Sequence, residues 1–213
     1  MRKVNLIVLA LVAIYLLAAP LALGQGGNPT AGTKESSGQA AQAKIGQPRI
    51  PVEQLQIYVD GFHNYIGEDG RPADKQTQMR VSHYCQGLPN GVIQCAIFDG
   101  TTKNSRLIGL EHIISDQAYQ ALPEKEKAFW HPHDGEIDSG MLALPGMPQD
   151  KAKELKQMIR STHGKTWHVW ESHSDDLPLG QPRLMWAVAA KDMNAETKAE
   201  ISKREQDATF GPQ

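Results

Sequence analysis

Apolar residues recur at spacings of three and four at Val52, Leu55, Val59, Phe62 and Ile66, which predicts an amphipathic helix over 51–66 stopped by Gly67. From 77 to 86 the period changes to two. Met79, Val81, His83 and Cys85 then share one face, and Arg80, Ser82 and Tyr84 the other. The stretch 92–99 runs back across Pro89-Asn90-Gly91, so the two segments predict a hairpin. A third strand is expected over 106–114, with Ser115 capping a helical segment at 116–119 and Pro123 opening a short helix over 123–130. Further strands are predicted at 137–144, 166–172 and 183–190. A helix is predicted over 150–163, with Leu155, Met158 and Ile159 inward and Gly164 as its C-cap. From Asn194 on, the pattern is that of a polar, solvated helix and a tail. Strands and helices mix without regular alternation, so the expected class is α+β: one domain, a largely antiparallel sheet with helices packed on one side.

The hairpin turn decides where the two cysteines fall. A two-residue Asn90-Gly91 turn sends Cys85 and Cys95 to opposite faces. A three-residue loop pairs Leu88 with Val92 and sets the cysteines opposite each other. That register also gathers Val81, His83 and Cys85 with Ile93, Cys95 and Ile97 into the better apolar face, and is preferred on that ground. The pair then forms a disulfide, two buried thiols or part of a metal site.

The ends of the chain add a compartment. Met1-Arg2-Lys3 precedes an almost wholly apolar run over 6–23, which predicts a signal peptide over 1–24, cleaved after Gly24; the alternative is an uncleaved N-terminal membrane anchor. Residues 25–48 are rich in Gly, Gln, Ala, Ser and Thr without apolar period, and read as a disordered linker. The folded domain is expected over 49–192, and a polar C-terminal helix and tail over 193–213. The chain has a formal net charge of −2, which becomes −4 without Arg2 and Lys3. An exported, mildly acidic domain without a basic cluster is not expected to bind nucleic acid.

Candidate chemistry centres on Trp130-His131-Pro132-His133 followed by Glu136. Pro132 pushes His131 toward extended geometry, where residues two apart point the same way. His131 and His133 could therefore meet a third ligand, His83 or Glu136, and leave a place for water on zinc or iron. Further candidates are His63, at the border of the first apolar face, His168, which shares a face with Thr166 and Trp170, and Cys85 and Cys95. No serine nucleophile elbow and no phosphate-cradling glycine loop is present in the sequence.

Several blocks together resemble the oil body-associated protein family. They are Phe62-His63, His83-Tyr84-Cys85, Gln94-Cys95 with Phe98-Asp99, and Arg106-Leu107-Ile108-Gly109. Leu122-Pro123, Trp130-His131 with His133, and Ser139-Gly140-Met141-Leu142 follow, then Gly164-Lys165-Thr166, His168 with Trp170, and Leu177-Pro178-Leu179-Gly180 with Pro182. The resemblance spans 55–187 and rests on the order and spacing of the blocks. It departs at Pro132, where the plant-type pattern has serine, and in the secretory leader. It implies association with lipid and no reaction or cofactor; an exported member meets a membrane or envelope surface, since a cytosolic droplet is out of its reach. The expected function is an exported, non-catalytic lipid- or envelope-associated domain, its oligomeric state open. The alternative is a metal-binding protein or metal-dependent hydrolase built around His131-Pro132-His133.

Overall fold

A computed structural model describes residues 50–65 and 71–206 of the chain. The expected leader and linker, the Gly67 stop and the end of the tail lie outside the described residues. Within the stretch expected to be one helix, a single turn, α1 (Ile50–Glu53), is followed by a strand, β1 (Ile57–Tyr65). The reason is burial on both faces. Every residue of β1 from Tyr58 on is buried, so apolar side chains occupy both sides and the alternation that marks a strand disappears. Val59 and His63 face inward with Val81 and His83. Phe62 faces outward against Met141, Val188 and Ile201.

The hairpin of β2 (Gln78–Gly87) and β3 (Ile93–Phe98) takes the three-residue loop. The Leu88 N–H donates to the Val92 carbonyl at 2.8 Å, Gly91 takes the positive φ of 83° that the turn requires, and Cys85 lies opposite Cys95. The two cysteines form a disulfide. In β4 (Leu107–Ser115), Phe98 pairs with Leu107 and Ile97 with Gly109, so Ile108 is an extra residue, fully buried at a bulge. Ser115 caps α2 (Asp116–Gln120) by accepting the Ala118 N–H, as its position predicts.

After α3 (Glu124–Lys127) and the two-residue β5 (His131–Pro132), the chain departs from the expected strand over 137–144. It forms α4 (Asp134–Asp138), in which Asp134 accepts the Gly135 N–H. Only Ala143 bridges to a strand, at Asp60. The next helix, α5 (Gln149–Ile159), stops short of 163, and Gly164 is a strand residue, not a C-cap. Met158, expected inward, is 51% exposed, while Ile159 is buried. Strands β6 (Thr162–His168) and β7 (Arg183–Ala187) complete the sheet, and α6 (Ala195–Gln206) follows.

All strand pairings are antiparallel, in the order β4-β3-β2-β1-β7-β6, and β4 also pairs with β6. The sheet therefore closes into a six-stranded antiparallel barrel, with β5 added beside β6. The single domain and the antiparallel sheet are as expected; the expectation of helices packed on one side of that sheet is corrected, because the sheet closes on itself and most of the helices are single turns between strands. Closure joins β1 to β7 and β4 to β6, partners separated by loops and helices whose lengths say nothing of pairing. The final helix is also not simply solvated. Arg204 is buried and donates to Asp60 Oδ2 at 2.6 Å, to the Met141 carbonyl at 2.7 Å and to the Gly140 carbonyl, while Arg80 donates to the other oxygen of Asp60 at 2.8 Å.

Candidate functional site

Alternation along the strands turns an unusual set of side chains into the barrel. β1 supplies His63, β2 His83, β4 Glu111, and β6 Thr166 and His168; β5 and the residue after it supply His131 and His133. All of them are buried. His112, the odd histidine of β4, faces outward and is exposed.

One half of the interior is a relay. Tyr65 Oη lies 3.1 Å from His168 Nδ1, His168 Nε2 lies 3.0 Å from His63 Nδ1, and His63 Nε2 lies 3.0 Å from His83 Nε2. His83 Nδ1 reaches the Val59 carbonyl at 3.3 Å. With a proton on each nitrogen of His83, one assignment satisfies the whole chain: His83 donates from Nδ1 to Val59 and from Nε2 toward His63 and Glu111, His63 donates to His168, and His168 to Tyr65. Burial, with His83 and His168 alongside, holds His63 well below the usual imidazole range, and burial pushes His168 down to about 3.

The other half gathers on Glu111. Its Oε1 lies 3.2 Å from His133 Nε2 and 3.6 Å from His131 Nε2, and its Oε2 lies 3.3 Å from His83 Nε2. Burial alone would raise the Glu111 carboxyl, but the bonds from His133 and His83 outweigh it and hold the group well below its ordinary value. Burial lowers His83 and His133, and the hydrogen bond and charge of Glu111 reverse this, so both end raised. His131 has no such bond, and burial beside His133 lowers it to about 3. Glu136 rises to about 7, because it is buried and Glu111 is near, against the attraction of His133 and His83.

Gly164 makes this convergence possible. A Cβ there would stand 2.1 Å from Glu111 Oε1, 2.7 Å from His133 Nε2 and 3.0 Å from His131 Nε2. Gly109 plays a similar part on β4, where a Cβ would meet the Trp167 carbonyl oxygen at 2.3 Å. A cavity of about 20 Å³ lies among His63, His83, Glu111, His131, His133 and Glu136. That is room for one water or ion.

The candidate residues therefore divide. His63, His83, His131, His133 and His168 join in one contact network. Glu136 lines the cavity but stands outside the two groups with metal-ligand spacing, which are His63, His83 and Glu111, and Glu111, His131 and His133. Cys85 and Cys95 line the same cavity with their sulfurs joined, so neither offers a thiolate. The group that sequence reasoning missed is Glu111. Its signal was a carboxylate among the apolar residues of one strand, obscured because the bulge at Ile108 breaks the alternation just before it.

A second feature lies on the outside. Leu107 and Leu110 on the outer face of β4 are 55% and 41% exposed, and Val169, just past the end of β6, is 46% exposed beside the outer face of β3. Two adjoining grooves of about 460 and 330 Å³ share Leu55, Ala96 and Leu107 there, and a third of about 470 Å³ continues past Leu110 to Trp167.

The family described as "Protein of unknown function (DUF1264)" matches residues 49–211, every strand of the barrel included. Oil body-associated protein 1A of Zea mays is 33% identical over 161 residues, covering 75% of this chain and 65% of its own length. Oil body-associated protein 1B of Arabidopsis thaliana is 35% identical over 143 residues, 67% of this chain and 57% of its own length. The chain thus spans less than two thirds of the length of these two relatives. Oil body-associated protein 2B of Arabidopsis thaliana is 34% identical over 195 residues, 88% of this chain and 74% of its own length. No solved structure matches significantly. The matched region contains both the buried histidine network and the apolar outer face, and on its extent the chain belongs to the oil body-associated protein family.

Proposed function

We propose that the chain is an exported, non-catalytic domain that seats the outer face of β3, β4 and β6 on a lipid surface. The observation that carries this reading is the contiguous apolar outer face around Leu107, Leu110 and Val169, since large exposed apolar patches mark sites of contact with a partner or a membrane. The names of the relatives supply the kind of surface. Export through the leader at 1–24, with cleavage after Gly24, makes that surface an envelope membrane rather than a cytosolic droplet.

Magnitudes describe the mode of binding. Covering the three half-exposed side chains contributes on the order of 1 kcal/mol each, so the patch alone gives roughly millimolar affinity. Contact of this strength is peripheral and reversible, and firm attachment requires a second anchor. A retained leader would be that anchor, which is why the state of residues 1–24 sets the strength of attachment.

Flotation tests the reading. The chain from Gln25 onward rises in a density gradient with phospholipid vesicles and with phospholipid-coated triacylglycerol droplets, at least in part. If it stays wholly in the soluble fraction, the lipid reading is wrong. Sequencing the N-terminus of the protein recovered outside the cytoplasm gives Gln25; a recovered chain that starts at Met1 overturns the cleavage.

A further inference from the structure

We propose that the barrel holds one divalent transition-metal ion of the zinc or ferrous class on Glu111 Oε1, His131 Nε2 and His133 Nε2. This stands apart from the lipid reading and rests on the interior alone.

The geometry points to a cation at this position. The Thr162 hydroxyl donates to the Ile159 carbonyl at 2.6 Å, so its oxygen accepts from His133 Nδ1 at 2.8 Å. With Nδ1 engaged by Thr162, His133 turns its Nε2 to a carboxylate oxygen 3.2 Å away, the position that a proton or a metal ion occupies. His131 is 1% exposed; its Nδ1 has no hydrogen-bond partner among the described residues, and its Nε2 stands 3.6 Å from the same oxygen, beyond hydrogen-bonding range. Two imidazole nitrogens and one carboxylate oxygen thus converge in a buried place, all within 4.8 Å of one another. A metal ion would accept an electron pair from each of the three.

The spacing fits. Ligand bonds of about 2.0–2.1 Å in a tetrahedral shell put neighbouring ligand atoms about 3.3 Å apart; the two contacts of Glu111 Oε1 are 3.2 and 3.6 Å, and the two imidazole nitrogens lie within 4.8 Å of each other. Two imidazoles and one carboxylate are the donor set that takes zinc or ferrous iron, and the cavity has space for a water as a further ligand. Thr162 is the outer partner that fixes the ring and tautomer of His133, as ligand histidines require.

Two considerations limit the site to one ion. The second group, His63, His83 and Glu111, belongs to the relay from Tyr65 to Val59, in which every ring nitrogen already has a partner. Both groups share one carboxylate, Glu111, so a second divalent ion would have no carboxylate of its own. A second ion would bury two uncompensated positive charges.

The test begins with the untagged full chain purified without chelators. Elemental analysis gives about one zinc or iron per chain on this assignment. After stripping with a chelator, calorimetric titration with zinc chloride shows one equivalent bound, and a thousandfold excess over Kd raises the melting temperature by on the order of 10 °C. His133→Ala and Glu111→Gln lose the equivalent, while His63→Gln keeps it. Because the first two variants also disturb the core, the visible spectrum of the cobalt-loaded wild type reads nitrogen and oxygen ligation without any substitution. Absence of metal and of heat with zinc, cobalt and ferrous ions overturns the proposal. So do two equivalents per chain, or loss of the ion in His63→Gln with retention in His133→Ala.

Discussion

The inside of this barrel and one side of its outside have exchanged their usual characters. Five histidines and two glutamates meet in the interior, whereas Leu107 and Leu110 of β4, with Val169 just past the end of β6, stand half-exposed on the outside. On the opposite side the ordinary arrangement holds: Phe62 of β1 is covered by Met141, Val188 and Ile201, and α6 is pinned there by Arg204. Burying ionisable groups costs stability, and leaving leucines in water forgoes it. A fold that does both has been shaped for something besides its own stability. The two exceptions also differ in kind. The interior exception is tight, with contacts near 3 Å and a cavity of about 20 Å³; the outer one is open and shallow. Substitutions should therefore separate: interior changes act on folding, and outer changes act on lipid contact.

The largest effect is expected from Gly164→Ala. Its added methyl would overlap Glu111 Oε1 and both imidazoles, and these are rigid, buried and mutually bonded, so they cannot swing aside. Overpacking of this severity costs about 3 kcal/mol or more, on the order of 10 °C in melting temperature. Denaturation in urea measures it, and a midpoint equal to the wild type would show that the interior is looser than its distances indicate.

Arg204→Ala comes next and contrasts the covered side with the bare one. It leaves Asp60 buried with Arg80 as its remaining ion-pair partner, at a cost of about 3 kcal/mol. Loss of α6 contact should also uncover Phe62, so binding of a hydrophobic dye rises. Removing the disulfide by Cys85→Ala with Cys95→Ala costs about 2.7 kcal/mol in the chain-entropy account, for two residues separated by 10 in sequence. A reduced wild type that melts with the oxidised one would refute this.

These sites also show what the chain discloses of itself. The Cys85–Cys95 register was legible because a local turn and an apolar face agreed, and both act over a dozen residues. The extended corner at His131 was legible because Pro132 restricts the residue before it. β1 was not, since burial on both faces replaced alternation with a spacing that imitates a helix. Glu111 was hidden by one extra residue at Ile108, which turns the strand over. Arg204 looked solvated because its partners, Asp60 and the carbonyls of Gly140 and Met141, come from distant parts of the chain. Ring closure is likewise non-local. The histidines could be named one at a time, but their meeting depended on pairings that no local pattern encodes.

The smallest expected change in stability, and the sharpest for the comparison, comes from Leu107→Ser, Leu110→Ser and Val169→Ser together. Each side chain is already about half in water, and none belongs to the buried clusters that hold the barrel. Each substitution should therefore shift unfolding by no more than about 0.5 kcal/mol. The same three removals take away roughly 3 kcal/mol of apolar contact with lipid, so the fraction of the Gln25-onward chain that floats should fall more than tenfold. Flotation and urea denaturation of one preparation separate these outcomes. A variant that floats like the wild type moves the lipid contact elsewhere on the molecule. One that unfolds readily would show that this face belongs to the core after all, and the contrast between a tight interior and an open exterior would not hold.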